Sequence, residues 1–238
     1  MFTHHGDQRT QTHNLQVASL LAVVAGMVNI TGFFALLRLT TNITGHFAYF
    51  MSDLFRGELR EALVFLAYIL SFFVGSLGSS FFIERGIRRK KGETVYYLPV
   101  LVETALLLLA GFFGGAATSE APDLVACVLL LAMGWQNALV TRISNSMVRT
   151  THLTGLFTDL GIELSQLFFY RHKDEQQRLR SSIRLRLQIL VLFFGGGIFA
   201  AFLFKSLRMH TLLVAAMLLV AGLVYDRWKQ RTSAQIKN

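Results

Sequence analysis

One cysteine stands in 238 residues, so no disulfide can form within the chain. That residue, Cys127, lies in an apolar run with no positive charge beside it, the setting of an inert thiol rather than a nucleophile. Charge is scarce as well: 16% of residues are charged against 53% hydrophobic and 12% aromatic, beyond ordinary soluble usage. The sequence holds no G-x-S-x-G and no H-E-x-x-H, and no close-spaced His/Cys/Asp cluster. His4, His5 and His13 read as solvated residues of a polar tail. These absences argue against an enzyme, a bound metal and any cofactor. A soluble output domain, which a sensor would carry, is also lacking; the longest soluble stretch is a basic loop of about sixteen residues, 171–186.

What is present is apolar length. A spanning helix needs roughly 20 mostly apolar residues, because the hydrocarbon core is about 30 Å thick and a helix rises about 1.5 Å per residue. Six stretches qualify, at about 15–37, 62–83, 95–116, 123–141, 187–204 and 211–225. The first comes after a polar tail, 1–14, and lacks a small-residue cleavage site before Asn29, so it reads as an uncleaved helix. A formal charge of +9 would suggest nucleic acid in a soluble protein, but here the basic residues lie in short runs between apolar segments. There they set orientation, and no nucleic-acid partner is expected.

The chain also repeats itself. Thr40 to Phe47, TTNITGHF, returns as TTHLTGLF at Thr150 to Phe157. Gly26-x-x-Asn29 and Gly134-x-x-Asn137 precede these two knots, and an acid, Asp53 or Glu163, comes eight residues after each knot's glycine. Further on, Phe72-Phe73-Val74-Gly75 answers Phe193-Phe194-Gly195-Gly196. Segment 39–52 is too short to cross, and 153–170 carries Thr154, Thr158, Asp159, Glu163, Ser165 and Gln166. If neither crosses, 18 of the 23 Lys and Arg residues lie on the cytoplasmic side; if the second crosses, ten lie there and thirteen opposite. The first arrangement satisfies the positive-inside bias and puts both termini in the cytoplasm. With three full spans per half, the second copy runs in the opposite sense to the first. The expected fold is therefore an all-α membrane protein of about six transmembrane helices in two inverted three-helix repeats, each with a broken or re-entrant Thr/Gly segment. The repeats cover 15–116 and 124–226, joined by a periplasmic linker at 117–123 and ending in a basic tail, 227–238.

The N-x-T-G phrase at Asn42, and GWQNALV and VRTTHLTGLFTDLG in the second half, make the chain resemble the YoaK family over 17–225. That is a group of bacterial integral membrane proteins without an established function. The resemblance implies a bacterial inner-membrane protein of about six spans; it supplies no substrate and no catalytic residues.

A Thr before a Gly and an apolar run is a helix start, where free backbone N–H groups attract an anion or a carboxylate. Thr41, Asn42, Thr44, Gly45, Thr151, Thr154 and Gly155 are thus candidate substrate-binding residues, with Asn29, Gln136 and Asn137 on the spans that lead into the knots. The structural alternative is that these groups hydrogen-bond neighbouring helices. Glu103 lies inside the third span with no basic residue within a turn, and an ionised carboxylate there costs several kcal/mol unless paired or protonated. It is a candidate proton-coupling site, with His46 and His152 as relays. Asp53, Asp159 and Glu163 could pair with Arg56 or Arg149 as gates. Arg38 and Arg149 border the knots. Gly75, Gly78, Ser79, Gly111, Gly115 and 195–197 allow close helix approach, either between repeats or across a homodimer face. A secondary transporter of a small solute is the expected function, with membrane lipid and that solute as partners. A channel and a non-transporting sensor or scaffold are the alternatives.

Overall fold

The computed structural model describes residues 11–89, 95–144 and 150–235. Regular structure there is wholly helical: α1 (Gln11–Leu36), α2 (Ile43–Arg56), α3 (Leu59–Arg88), α4 (Tyr97–Glu120), α5 (Pro122–Ile143), α6 (Leu153–Phe169), α7 (Lys173–Leu207) and α8 (Thr211–Gln235). Five stretches are long and apolar enough to cross a membrane: Leu15–Leu36, Leu59–Arg88, Tyr97–Glu120, Pro122–Ile143 and Lys173–Lys229. The last holds both α7 and α8, parted by a short 3-10 turn, Arg208–His210, whose first residue has φ 49°. Large apolar side chains coat the outside, among them Phe55, Phe168 and Phe169. Such a surface belongs in lipid. The chain is a multi-pass membrane protein by these criteria.

The half-length helices arise from local chemistry. After Leu36 the chain reverses at Leu37, a left-handed residue with φ 54°. It then folds back along the last two turns of α1, where Thr40 donates to the Val28 carbonyl (3.3 Å) and its methyl sits against Gly32. Asn42 caps α2 by accepting from the Gly45 N–H at 3.2 Å. At the far end Gly57, with φ 77°, closes α2 in the left-handed conformation that glycine adopts without strain. In between, His46 and Tyr49 lie on Phe65 of α3, and His46 also meets Tyr68. Helix α2 therefore runs antiparallel to α3, and its N-terminus sits beside Tyr68, nine residues or about 13 Å into α3. Helices α6 and α7 form the corresponding hairpin, Glu163 and Asp159 lying against Ser182 and Arg186.

The long helices pair across the two halves. Helix α1 runs parallel to α7, with Ser19 at Gln188, Gly26 at Phe193 and Phe34 at Phe204. Helix α3 runs parallel to α5, with Tyr68 at Asp123, Gly75 at Leu131 and Glu84 at Arg142. Helices α4 and α8 are antiparallel, Tyr97 meeting Asp226 and Gly111 meeting Leu213. Glycine makes the parallel crossings possible. A Cβ added at Gly26 would lie 1.9 Å from the Phe193 carbonyl oxygen, and one at Gly134 would lie 2.0 Å from that of Phe72. One at Gly75 would meet the Leu131 oxygen at 2.1 Å, and one at Gly196 the Val23 oxygen at 2.4 Å. These glycines bring helix onto helix within the chain. Of the other small residues singled out from the sequence, Gly115 and Gly195 face open space.

Several boundaries differ from those read in the sequence, most at three expected loops and tails. The expected loop at 171–186 is helical from Lys173, because its Glu, Gln, Leu and Arg residues favour helix and Asp174 and Glu175 lie in the first turn. The expected linker at 117–123 shrinks to Ala121, since α4 continues to Glu120 and α5 begins with Pro122 at its first turn. Helix α8 likewise continues through most of the basic tail, to Gln235. In each case hydropathy marks the apolar part of a helix and misses its polar extension.

Candidate functional site

The two knots carry the same clamp. Thr41 Oγ1 donates to Asn29 Oδ1 at 2.7 Å, and Thr151 Oγ1 donates to Asn137 Oδ1, also at 2.7 Å. Each asparagine of the G-x-x-N phrase thus ties the chain beyond a long helix back onto that helix. The preceding threonines, Thr40 and Thr150, are fully buried. Gln136 extends the second clamp: its Nε2 donates to Thr150 Oγ1 at 3.2 Å and to the Leu21 carbonyl of α1 at 2.8 Å. One amide therefore joins the second knot to the first helix.

Beyond the clamps the polar groups turn outward. Asn42, Thr44, His152 and Thr154 are exposed, and Thr41, Gly45, Thr151 and Gly155 are half-buried. The His152 ring lies over Gly155, where an added Cβ would be 2.4 Å from Nδ1. His152 makes no capping bond to α6, unlike Asn42 at α2. Extensive packing of α2 on α3, and of α6 on α7, sets the two half-length helices against different long helices.

His46 is buried beside the first knot. Its Nε2 lies 2.6 Å from the Leu39 carbonyl, an acceptor only, so that nitrogen carries the proton; Nδ1 has no partner among the described residues. Next to it Arg38 Nε donates to the Tyr68 hydroxyl at 3.3 Å, and the guanidinium lies 5.7 Å from the Phe65 ring centroid. The hydroxyl in turn donates to Asp123 at the start of α5. Arg38 thus points inward, and Tyr68 and Asp123 join the site although neither carries a periodic signal in the sequence. Only packing of α3 on α5 brings them together.

Two of the three acids expected to gate, Asp159 and Glu163, find a different partner. Arg186 Nε and Nη2 grip Glu163 at 2.9 and 3.0 Å, its Nη1 reaches Asp159 at 2.9 Å, and Ser182 donates to Glu163 at 2.6 Å. Arg149 lies outside the described residues. Asp53 is buried at the end of α2 and makes no ion pair with Arg56 among the described residues. Arg186 is not singled out by the sequence because 171–186 reads there as loop, where a side chain has no fixed neighbour.

Glu103 is fully buried, and neither carboxyl oxygen has a partner among the described residues. It occupies the enclosed stripe of α4 that runs through Pro99, Val100, Thr104, Leu107, Ala110 and Gly111. One turn before it, the Pro99 carbonyl accepts from Trp135 Nε1 of α5 at 2.8 Å; two turns after it, Gly111 meets α8. No relay connects it to His46 or His152 by hydrogen bond among the described residues. Among the described residues no group of His, Cys, Asp and Glu could hold a metal ion.

No curated protein and no solved structure matches the chain. A family model does match, over residues 17–225, under the description "Protein of unknown function (DUF1275)". With that match spanning most of its length, the chain belongs to this YoaK-like family.

Proposed function

We propose that the chain is a secondary transporter of a small anionic or zwitterionic solute, built from two inverted repeats in a bacterial inner membrane with both termini in the cytoplasm. On this reading α1, α3, α4, α5, α7 and α8 cross, giving six spans, and α2 and α6 are re-entrant. The packing scheme supports it: α1 on α7 answers α5 on α3, α2 on α3 answers α6 on α7, and α4 on α5 answers α8 on α1. The observation that carries the proposal is the pair of 2.7 Å Thr–Asn clamps, which hold two helix N-termini within the length of the spans. Each such terminus presents roughly half a positive charge and unpaired N–H groups, which in lipid call for a partner.

The remaining groups take roles around these termini. Arg38, Tyr68 and Asp123 close one end of the bundle, and Arg186 with Asp159 and Glu163 closes the other, since Arg38 lies just past the end of α1 and Arg186 lies just before the apolar part of its parallel neighbour α7. Opening either end means breaking one network while the glycine crossings serve as pivots. Glu103, whose carboxyl oxygens have no partner among the described residues, takes the role of the proton-coupling acid.

The test is a thermal-shift screen of the purified protein at two pH values against small anions, amino acids, nucleobases, sugars and cations, and then flux in proteoliposomes. A solute at ~100 times its dissociation constant stabilises by about 2.7 kcal/mol. The expected hit is an anion or zwitterion whose effect disappears in Thr154→Val. Stabilisation confined to cations or neutral sugars would refute the solute class, and non-saturating flux that persists in Glu103→Gln would make the protein a channel.

A further inference from the structure

We propose that the groove between α6 and α7 is a binding site for an anionic phospholipid, with the phosphate on Arg180 and Arg184 and an acyl chain along Leu187 and Val191. The site is independent of the transport reading and requires only that the helices lie in a bilayer. Helix α7 has 35 residues, about 52 Å, against a hydrocarbon core of about 30 Å, so its polar start must project from the core. The composition changes after Arg186, where the chain turns apolar as LQILVLFF. The core boundary therefore falls near Leu187, and Arg184 and Arg180, one and two turns earlier, lie at headgroup depth.

At that level lies a groove of about 440 Å³ lined by Arg180, Arg184, Leu187, Gln188 and Val191 of α7, with Leu167 of α6 as its other wall. The α7 residues recur at helical spacing, so cationic head and apolar wall share one face. Leu187 and Val191 are 44% and 65% exposed, which leaves an apolar track that a soluble anion would not cover. The charges are also uncommitted. Among the described residues neither Arg180 nor Arg184 makes an ion pair, although Arg186 beside them is held by Asp159 and Glu163. A second basic groove, at the end of α3, contains Glu84, which pairs with Arg88 and Arg142. The α6–α7 groove has no acid in its lining among the described residues. Two such guanidiniums above an apolar track complement a phosphate above an acyl chain.

The test compares melting of the protein in detergent with phosphatidylglycerol, with phosphatidylcholine of the same chains, or with inorganic phosphate. Wild type should melt about 5 °C or more higher with phosphatidylglycerol than with phosphatidylcholine. The difference should vanish in Arg180→Gln/Arg184→Gln and persist in Arg180→Lys/Arg184→Lys. Because the readout is the difference between two lipids within one variant, a general loss of stability does not mask it. Equal melting in both lipids, or an undiminished difference in the glutamine pair, overturns the site; an equal rise with phosphate alone overturns the lipid in favour of a soluble anion.

Discussion

Alanine at Gly196 and alanine at its neighbour Gly195 should move the melting temperature in opposite directions. At Gly196 the new Cβ would sit 2.4 Å from the Val23 carbonyl oxygen and 2.9 Å from the Val23 Cα, where ordinary contact begins at 3.4 Å. Both neighbours are backbone, so no side chain can swing aside; α1 and α7 must part by about 1 Å. A gap of 0.5–1 Å already forfeits a quarter to a half of each dispersion contact along a seam, and overpacking costs about 1–3 kcal/mol. At Gly195 nothing lies within 4 Å, so the same substitution only restricts the unfolded chain and favours helix by about 0.5–1 kcal/mol. At roughly 2–4 °C per kcal/mol for a chain of this size, Gly196→Ala should melt about 2–12 °C lower and Gly195→Ala about 1–4 °C higher. Static light scattering or intrinsic fluorescence during a detergent thermal ramp reads both. Shifts of the same sign and size at the two positions would refute the crossing geometry.

Two further substitutions probe the site. Glu103→Gln keeps shape and removes ionisation; since neither carboxyl oxygen has a partner among the described residues, melting should stay within about 1 kcal/mol of wild type, equivalent to a few degrees, while any flux loses its pH dependence. A loss several times larger would mean that an ionised, paired carboxylate had been removed. Arg186→Gln leaves Glu163, whose side chain is only 14% exposed, without its cation and should cost about 1–3 kcal/mol. Adding Glu163→Gln should recover part of that in a double-mutant thermal melt, and simple additivity would show the two do not act as a pair.

How much of this can be read in the sequence depends on whether a feature is local. The start of α2 at Ile43 comes from Asn42 and the glycine three residues on, and TTNITGHF displays both. Asn29 and Asn137 are legible because their clamps reach only a few turns along the same stretch of chain. Glu103 stands out because its own neighbours are nearly all apolar. Tyr68 with Asp123, and Arg186 with Glu163, are hidden for the opposite reason: an aromatic in an apolar span and an arginine in a basic run look ordinary until another helix is laid against them. The length of α7 is lost because hydropathy tracks lipid contact, whereas helix continues wherever backbone and side chains allow it.

The parallel pairing of α1 with α7 also dictates an order of events during synthesis. Gly26 and Gly196 are separated by 170 residues, so at about 5–20 residues per second α1 leaves the ribosome roughly ten to thirty seconds before its partner exists. The second seam closes sooner, because α3 is already made when Gly134 emerges. During that wait the glycine groove of α1 faces acyl chains or the insertion machinery, and the nascent protein is held by one completed seam with the other still open.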